Sequence, residues 1–188
     1  MHTVFVVILY IKGEFRMRKT NLTALVEAGI MTALSYLLNL ITLFQMPQGG
    51  SVSAGAMVPI IIMGIRRGPA WGVATGVATG LLQFILGKQF SLHPLSIILD
   101  YILAYAVIGL IGYFGKNKLR ISIGIFVVVF ARFICHVISG AVVFYEYAGT
   151  QNPWIYSMIY NGTFLLPELI ITLIITLALV SNKRIINA

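Results

Sequence analysis

Charged side chains are scarce in this 188-residue sequence, and acidic ones are the scarcest. There are 13 Lys and Arg but only five Asp and Glu, so charged residues make up 10% of the chain and hydrophobic residues 59%. A soluble domain is roughly a quarter charged and about half apolar. A water-facing globule is therefore excluded. The single cysteine, Cys135, cannot form an internal disulfide and is interpreted as a small buried apolar side chain.

Long uncharged apolar runs predict membrane-spanning helices. We place six spans at about residues 22–44, 52–65, 68–87, 92–115, 121–146 and 155–181. The second is shorter than the ~20 residues that a span needs. The predicted fold is an all-α integral membrane protein with a single six-helix domain over residues 20–188. Residues 1–19 are set apart as an N-terminal extension, either non-native or interfacial.

The basic residues predict the orientation of the six spans. Eleven of the 13 fall at one side of the membrane: Lys12, Arg16, Arg18, Lys19, Arg66, Arg67, Lys116, Lys118, Arg120, Lys183 and Arg184. Lys88 lies on the other side and Arg132 lies within a span. Short loops rich in Lys and Arg are cytoplasmic, so both termini are predicted inside the cell. The net charge of +8 is accordingly interpreted as the charge bias of a membrane protein and not as a sign of nucleic-acid binding.

Small residues recur at four-residue spacing in two spans. Gly72, Gly76 and Gly80 do so in span three, and this stripe is expected to pack against a neighbouring helix of the same chain. Gly29 and Ala33 form the same pattern in span one. Their face either packs internally or docks another membrane subunit.

Ionisable groups inside a membrane are costly and usually mark function. Asp100 and His136 are both predicted nearer the outer ends of their helices, and Tyr156 and Asn161 begin span six at the same level. Glu27, in contrast, is expected to face the cytoplasmic headgroups. Aromatic residues surround the outer level: Phe90, Phe144, Tyr145, Tyr147 and Trp154. A carboxylate within an aromatic cage suits an organic cation, because ring faces attract positive charge.

Several kinds of catalytic motif are missing from the sequence. It has no G-x-x-x-x-G-K-[ST] phosphate loop and no H-E-x-x-H zinc motif. It has no Cys and His cluster spaced for a metal, so no metal site is predicted. Two alternatives remain at this point: a small intramembrane enzyme that uses His136 and Asp100, and a structural subunit whose polar residues only hold helices together.

Five segments occur in an order and spacing typical of one family: MPQGGSVSAGAMVPI, IRRG, HPLSIILDY, RFICHVISG and PWIYSMIYNG. Over about residues 20–182 the chain resembles the thiamine-specific substrate-binding (S) component of energy-coupling factor (ECF) transporters, the ThiT or YuaJ family. The resemblance implies a six-helix protein of the bacterial plasma membrane that captures thiamine from outside. It implies no catalysis and no cofactor. The implied partners are thiamine, the EcfT transmembrane coupling subunit and two EcfA-type ATPases.

The resemblance also implies roles for individual residues in the binding of thiamine. Asp100 and Tyr101 stand where the family has glutamate followed by tyrosine. His136 would stack on the ligand or hydrogen-bond to it, and Gly140 would allow close backbone approach. Tyr156 and Asn161 would contact the pyrimidine.

Further positions follow from the same resemblance at the outer loops and on span one. Phe144 replaces a loop tryptophan, and Trp154 would supply the lost indole, while Phe90 replaces a tyrosine. The lid between spans one and two would include Gln48, Gly49 and Gly50. Gly29 and Ala33 match the docking face for the coupling subunit. The nearest rival is an S component for another small ring compound, such as hydroxymethylpyrimidine or riboflavin.

Overall fold

The computed structural model describes residues 2–182 and Ile185, and it describes side chains from residue 21 onward. Six main helices follow one another: α1 (His2–Leu40), α2 (Val58–Arg67), α3 (Pro69–Leu86), α4 (Pro94–Phe114), α5 (Lys118–Val142) and α6 (Pro153–Val180). A short 3-10 helix (Tyr145–Ala148) lies between α5 and α6. A two-stranded antiparallel hairpin of β1 (Thr42–Gln45) and β2 (Ser51–Ser53) lies between α1 and α2. The side chains of residues 1–20 lie outside the described part, as do residues 183–184 and 186–188.

Five helices of the described residues are long and apolar enough to cross a membrane, namely residues 21–40 of α1 and all of α3, α4, α5 and α6. This agrees with the all-α membrane fold predicted above. The second predicted span is not among these five, because its helix, α2, has only ten residues. Its residues 58–65 are buried within the bundle, where they pack against Ile108, Ile111 and Ile121. A helix enclosed by other helices need not cover the whole membrane thickness itself.

The hairpin corrects the predicted ends of spans one and two. Residues 42–44, expected to continue the first helix, are extended, and residues 52–53 form the returning strand. The turn begins at Pro47 and contains Gly49 with φ of 108°, a conformation that other residues rarely adopt. An apolar run alone does not distinguish strand from helix. The prediction from hydropathy therefore assigned residues 42–44 to the first span and residues 52–53 to the second.

The glycine stripe of α3 packs against the backbone of α4, as predicted. A Cβ atom at Gly72 would meet the carbonyl oxygen of Gly109. At Gly76 it would meet the carbonyl of Tyr105, and at Gly80 that of Tyr101. The close approach therefore fixes the part of α4 that carries two tyrosines of the candidate site. That part includes a π-helical stretch, Ile97–Leu103, a distortion often found at functional sites.

Glu27 joins α1 to the end of α2, which corrects the expectation that it faces lipid headgroups. Its carboxylate lies 2.8 Å from Arg66 Nη2 and 2.7 Å from Arg67 Nε. The three side chains are mostly buried, so the ion pairs hold the two arginines against α1 at the predicted cytoplasmic end.

Candidate functional site

A cavity of about 440 Å³ opens at the predicted outer end of the bundle. It lies where α1 and α3 end, where α4 and α6 begin and where α5 ends, and the hairpin forms one wall. Its polar and charged lining consists of Asn39, Thr42, Gln45, Gln48, Ser51, Gln83, Lys88, Ser96, Asp100, Arg132, His136, Ser157, Asn161 and Glu168. Its aromatic lining consists of Phe90, Tyr101, Tyr105, Phe144, Tyr147, Tyr156, Tyr160 and Phe164. The site thus combines few charges with many rings.

Asp100 is held by three side chains from two helices. Its Oδ1 lies 2.8 Å from His136 Nδ1, and its Oδ2 accepts a hydrogen bond of 2.7 Å from Ser96 on its own helix. Ser139 of α5 also donates to Oδ2. The side chain is 18% exposed, so the carboxylate is oriented by the protein and still reaches the cavity. A carboxylate has about four acceptor positions, and one is left for a ligand.

Arg132 fixes the tautomer of His136 and lies deeper in the site. Arg132 Nε donates to His136 Nε2 at 3.3 Å. Arginine nitrogens only donate, so His136 Nε2 is the acceptor and Nδ1 carries the proton that faces Asp100. The guanidinium carbon lies 4.4 Å from the centre of the Tyr105 ring, a cation–π contact, and the side chain is buried. Its Nη1 is buried without a hydrogen-bond partner in the described structure, and so is available to a ligand acceptor.

Gly140 brings α5 and α6 together beside Asn161. A Cβ at Gly140 would overlap Ser157 Oγ and approach Asn161 Nδ2 to 3.4 Å. Asn161 Nδ2 donates to the carbonyl of Ser157 at 2.9 Å and lies 3.4 Å from the carbonyl of His136. The buried amide is thereby held in one orientation toward the cavity.

The aromatic wall of α6 is a ladder of rings one helical turn apart. The Tyr156 and Tyr160 ring centres are 6.0 Å apart and nearly parallel, and Phe164 follows edge-on at 6.3 Å. Just after the end of α5, Phe144 stacks on Tyr147 with ring centres 6.2 Å apart. Lys88, the basic residue predicted on the outer side, lies 5.3 Å from the Phe90 ring centre at the rim. These faces can accept a flat ligand from several sides.

Eight of the nine predicted ligand-binding residues line the cavity, as do the three predicted lid residues Gln48, Gly49 and Gly50. Trp154 is the exception, since in the described structure it is 49% exposed and does not line the cavity. It precedes Tyr156 by two residues, which places the two side chains on opposite sides of the helix. The contacts of these residues with a ligand stay predictions.

Gly29 and Ala33 are exposed on α1, and a Cβ at Gly29 would meet nothing within 4 Å. This face therefore does not pack against the described part of the chain. Of the two possibilities left by the sequence, internal packing is excluded and an outward-facing surface remains.

Several residues that line the cavity were not among the predicted site residues. Tyr160, Phe164 and Glu168 continue the face of α6 that begins with Tyr156, at steps of four residues. This four-residue periodicity is the sequence signal that could have identified these three residues. Gln83 and Tyr105 gave no comparable signal, because they become neighbours of the site only through the packing of α3 on α4.

The model of the family described as "Thiamine transporter protein (Thia_YuaJ)" matches residues 25–187. The chain belongs to this family. It is 40% identical to "Thiamine transporter ThiT" of Bacillus subtilis (strain 168), an alignment that covers 82% of this chain and 88% of the relative. It is 31% identical to the protein of the same name from Lacticaseibacillus paracasei, with 82% and 85% covered.

A solved structure of ThiT from Listeria monocytogenes has the same fold. It superimposes with a TM-score of 0.81 at 26% identity, and covers 90% of this chain and all of that one. Membership of the thiamine transporter family confirms the resemblance seen in the sequence. This Thia_YuaJ member is thus a multi-pass protein of the bacterial cell membrane and a transporter component, which removes the intramembrane-enzyme alternative.

Proposed function

We propose that this chain captures thiamine from outside the cell as the S component of an ECF importer. The observation that carries the proposal is the oriented carboxylate of Asp100 inside an aromatic cavity at the predicted outer end. Thiamine has a cationic thiazolium ring and a flat aminopyrimidine ring. The first suits a carboxylate and ring faces, and the second suits oriented polar groups such as Asn161.

Asp100 is one carbon shorter than the glutamate that the family resemblance implies at this position. The three donors around it place its oxygens on the wall between α4 and α5, 2.8 Å from His136. We infer that a ligand must approach this wall more closely than it would approach a glutamate, because Ser96, Ser139 and His136 hold the shorter carboxylate against the wall.

The sequence has no phosphate loop of the G-x-x-x-x-G-K-[ST] type, so ATP hydrolysis by such a loop would have to come from another subunit. We propose EcfT and two EcfA-type ATPases as the partners. The exposed small-residue face of Gly29 and Ala33 supports a docking helix, since small side chains allow backbones to approach closely. Uptake of labelled thiamine by cells that express this chain with and without such a module tests the partnership.

Isothermal calorimetry of detergent-purified protein with thiamine tests ligand identity. Saturable binding is expected, with riboflavin and hydroxymethylpyrimidine much weaker. Asp100→Asn should weaken thiamine binding by roughly 10- to 100-fold, the order expected for loss of a charge-assisted contact of about 1.5–3 kcal/mol. Calorimetry is preferred to tryptophan fluorescence because Trp154 lies outside the cavity lining.

Glu146→Gln is the matched control, because Glu146 is an exposed carboxylate at the same end of the molecule that does not line the cavity. It should bind thiamine as the unaltered protein does. Absence of thiamine binding to the unaltered protein would refute the assignment. An Asp100→Asn variant with normal affinity but reduced thermal stability would instead support a purely structural role for this carboxylate.

A further inference from the structure

The hairpin (residues 42–53) contacts one face of α6 at three successive turns. Tyr160, Phe164 and Glu168 are four residues apart and so lie above one another on the helix. The backbone N–H of Gln48 donates to the Tyr160 hydroxyl at 3.0 Å. The Phe164 ring lies so close to Gly50 that a Cβ there would overlap it. Ser53 Oγ donates to Glu168 Oε1 at 2.7 Å.

The contact at Ser53 differs from the other two in depth and in strength. Ser53 is 0% exposed and Glu168 is 3% exposed, so the bond is shielded from water. The Ser53 oxygen also accepts a hydrogen bond of 3.1 Å from the Ala56 N–H, while the Ser53 hydroxyl proton is donated to Glu168. A hydrogen bond to a carboxylate is about twice as strong as a neutral one. Ser53 is therefore the firmly held point of the hairpin.

The position of the two kinds of contact suggests how the hairpin can move. Gln48 and Gly50 belong to the turn, whereas Ser53 lies at the base of β2, paired with Thr42. The two turn contacts consist of one hydrogen bond to a backbone N–H and one apolar contact. The turn can thus leave α6 while the base stays attached.

We propose that Glu168, acting through Ser53, is a positioning residue that anchors the hairpin as the wall of the ligand cavity and thereby slows ligand release. All three residues of the α6 face line the cavity, so the anchored hairpin and the ligand share the same surface. Glu168 acts through Ser53 in this role, and no contact of its own with the ligand is needed. The kinetic part rests on the proposed function, with thiamine as the ligand.

Hydrogen–deuterium exchange of the ligand-free protein tests the anchor without any assumption about the ligand. Ser53→Ala should speed exchange of the hairpin amides, such as that of Met46, and of the adjoining Ala54 amide, by about tenfold, the loss expected for a bond to a charged group. Glu168→Gln keeps an acceptor oxygen without charge and should give a smaller increase of about threefold. Amides of α3 should exchange as before.

Thr172→Val is the matched control on the same helix, one turn below Glu168. Thr172 is 0% exposed, and its hydroxyl has no hydrogen-bond partner in the described structure, so the isosteric change removes no bond. This variant should leave hairpin exchange unchanged. Faster exchange in Thr172→Val equal to that in Ser53→Ala would show general loosening of α6 and would overturn the proposal.

Release of labelled thiamine, chased with unlabelled thiamine, tests the kinetic consequence. In Ser53→Ala the dissociation rate should rise about tenfold, while the association rate changes less than about threefold, because an unanchored hairpin still admits ligand. Unchanged hairpin exchange in both variants, or an unchanged dissociation rate, would refute the anchor. Failure of the unaltered protein to bind thiamine would remove the proposed function, and the exchange measurement would still decide whether Glu168 holds the hairpin.

Discussion

At the scale of single residues, the site is built from side chains that hold one another before any ligand arrives. Asp100 is oriented by Ser96, Ser139 and His136, and His136 is oriented in turn by Arg132. Such preorganisation reduces the entropy that ligand binding costs. The absence of a side chain at Gly140 also matters, because a side chain there would displace Ser157, whose Oγ accepts a hydrogen bond of 3.1 Å from Asn161.

Gly140→Ala should weaken thiamine binding by about tenfold or more, because an added methyl in a packed contact costs about 1–3 kcal/mol and here displaces Ser157 of the cavity lining. Gly162→Ala is the control. Gly162 lies on α6, which packs against α5, and a Cβ there would meet nothing within 4 Å. Calorimetry of both variants checks the prediction. Equal affinity in the two variants would contradict a role of this close contact in the site.

At the scale of elements, close packing of α3 on α4 decides where the tyrosines of the site stand. The glycine stripe predicted from the sequence lets α3 approach the carbonyls of Tyr101, Tyr105 and Gly109. In a membrane, such van der Waals contact replaces much of the hydrophobic driving force between helices. The same two helices carry Gln83, Asp100 and Tyr105 into the cavity wall.

Gly76→Ala should destabilise the protein by about 1–3 kcal/mol, because the new methyl would strike backbone atoms of α4 that cannot move aside. Gly29→Ala makes the same change in open space on α1 and should be neutral or slightly stabilising. Thermal unfolding of both variants in one detergent measures the difference. A Gly76→Ala protein as stable as Gly29→Ala would show that the α3–α4 contact is looser than described.

At the scale of the whole molecule, the two ends of the bundle have different chemistry. The end with the cavity carries Asp100, His136 and the aromatic walls. The opposite end carries the ion pairs of Glu27 with Arg66 and Arg67. The basic end is predicted to face the cytoplasm. Capture from outside requires that orientation, so topology and function can be tested together.

Cysteine labelling in intact cells tests the orientation in a Cys135→Ser background. Thr150→Cys, in the exposed loop before α6, should react with a membrane-impermeant maleimide. Arg120→Cys, exposed in the first turn of α5, should react only after the cells are opened. Labelling of Arg120→Cys in intact cells would invert the predicted topology and place the cavity on the wrong side for uptake.

The sequence by itself determined the membrane class, the order of spans, the basic end and the position of Asp100 and His136 along their helices. These depend on local composition, because hydropathy and charge act over one span or one loop. Tertiary structure alone decided that residues 42–53 form a hairpin, that α2 has only ten residues, and that Trp154 lies outside the cavity. It also decided that Arg132, Tyr105 and Glu168 lie inside it. The direction in which a side chain faces depends on which helices surround it, and only packing across the bundle fixes that.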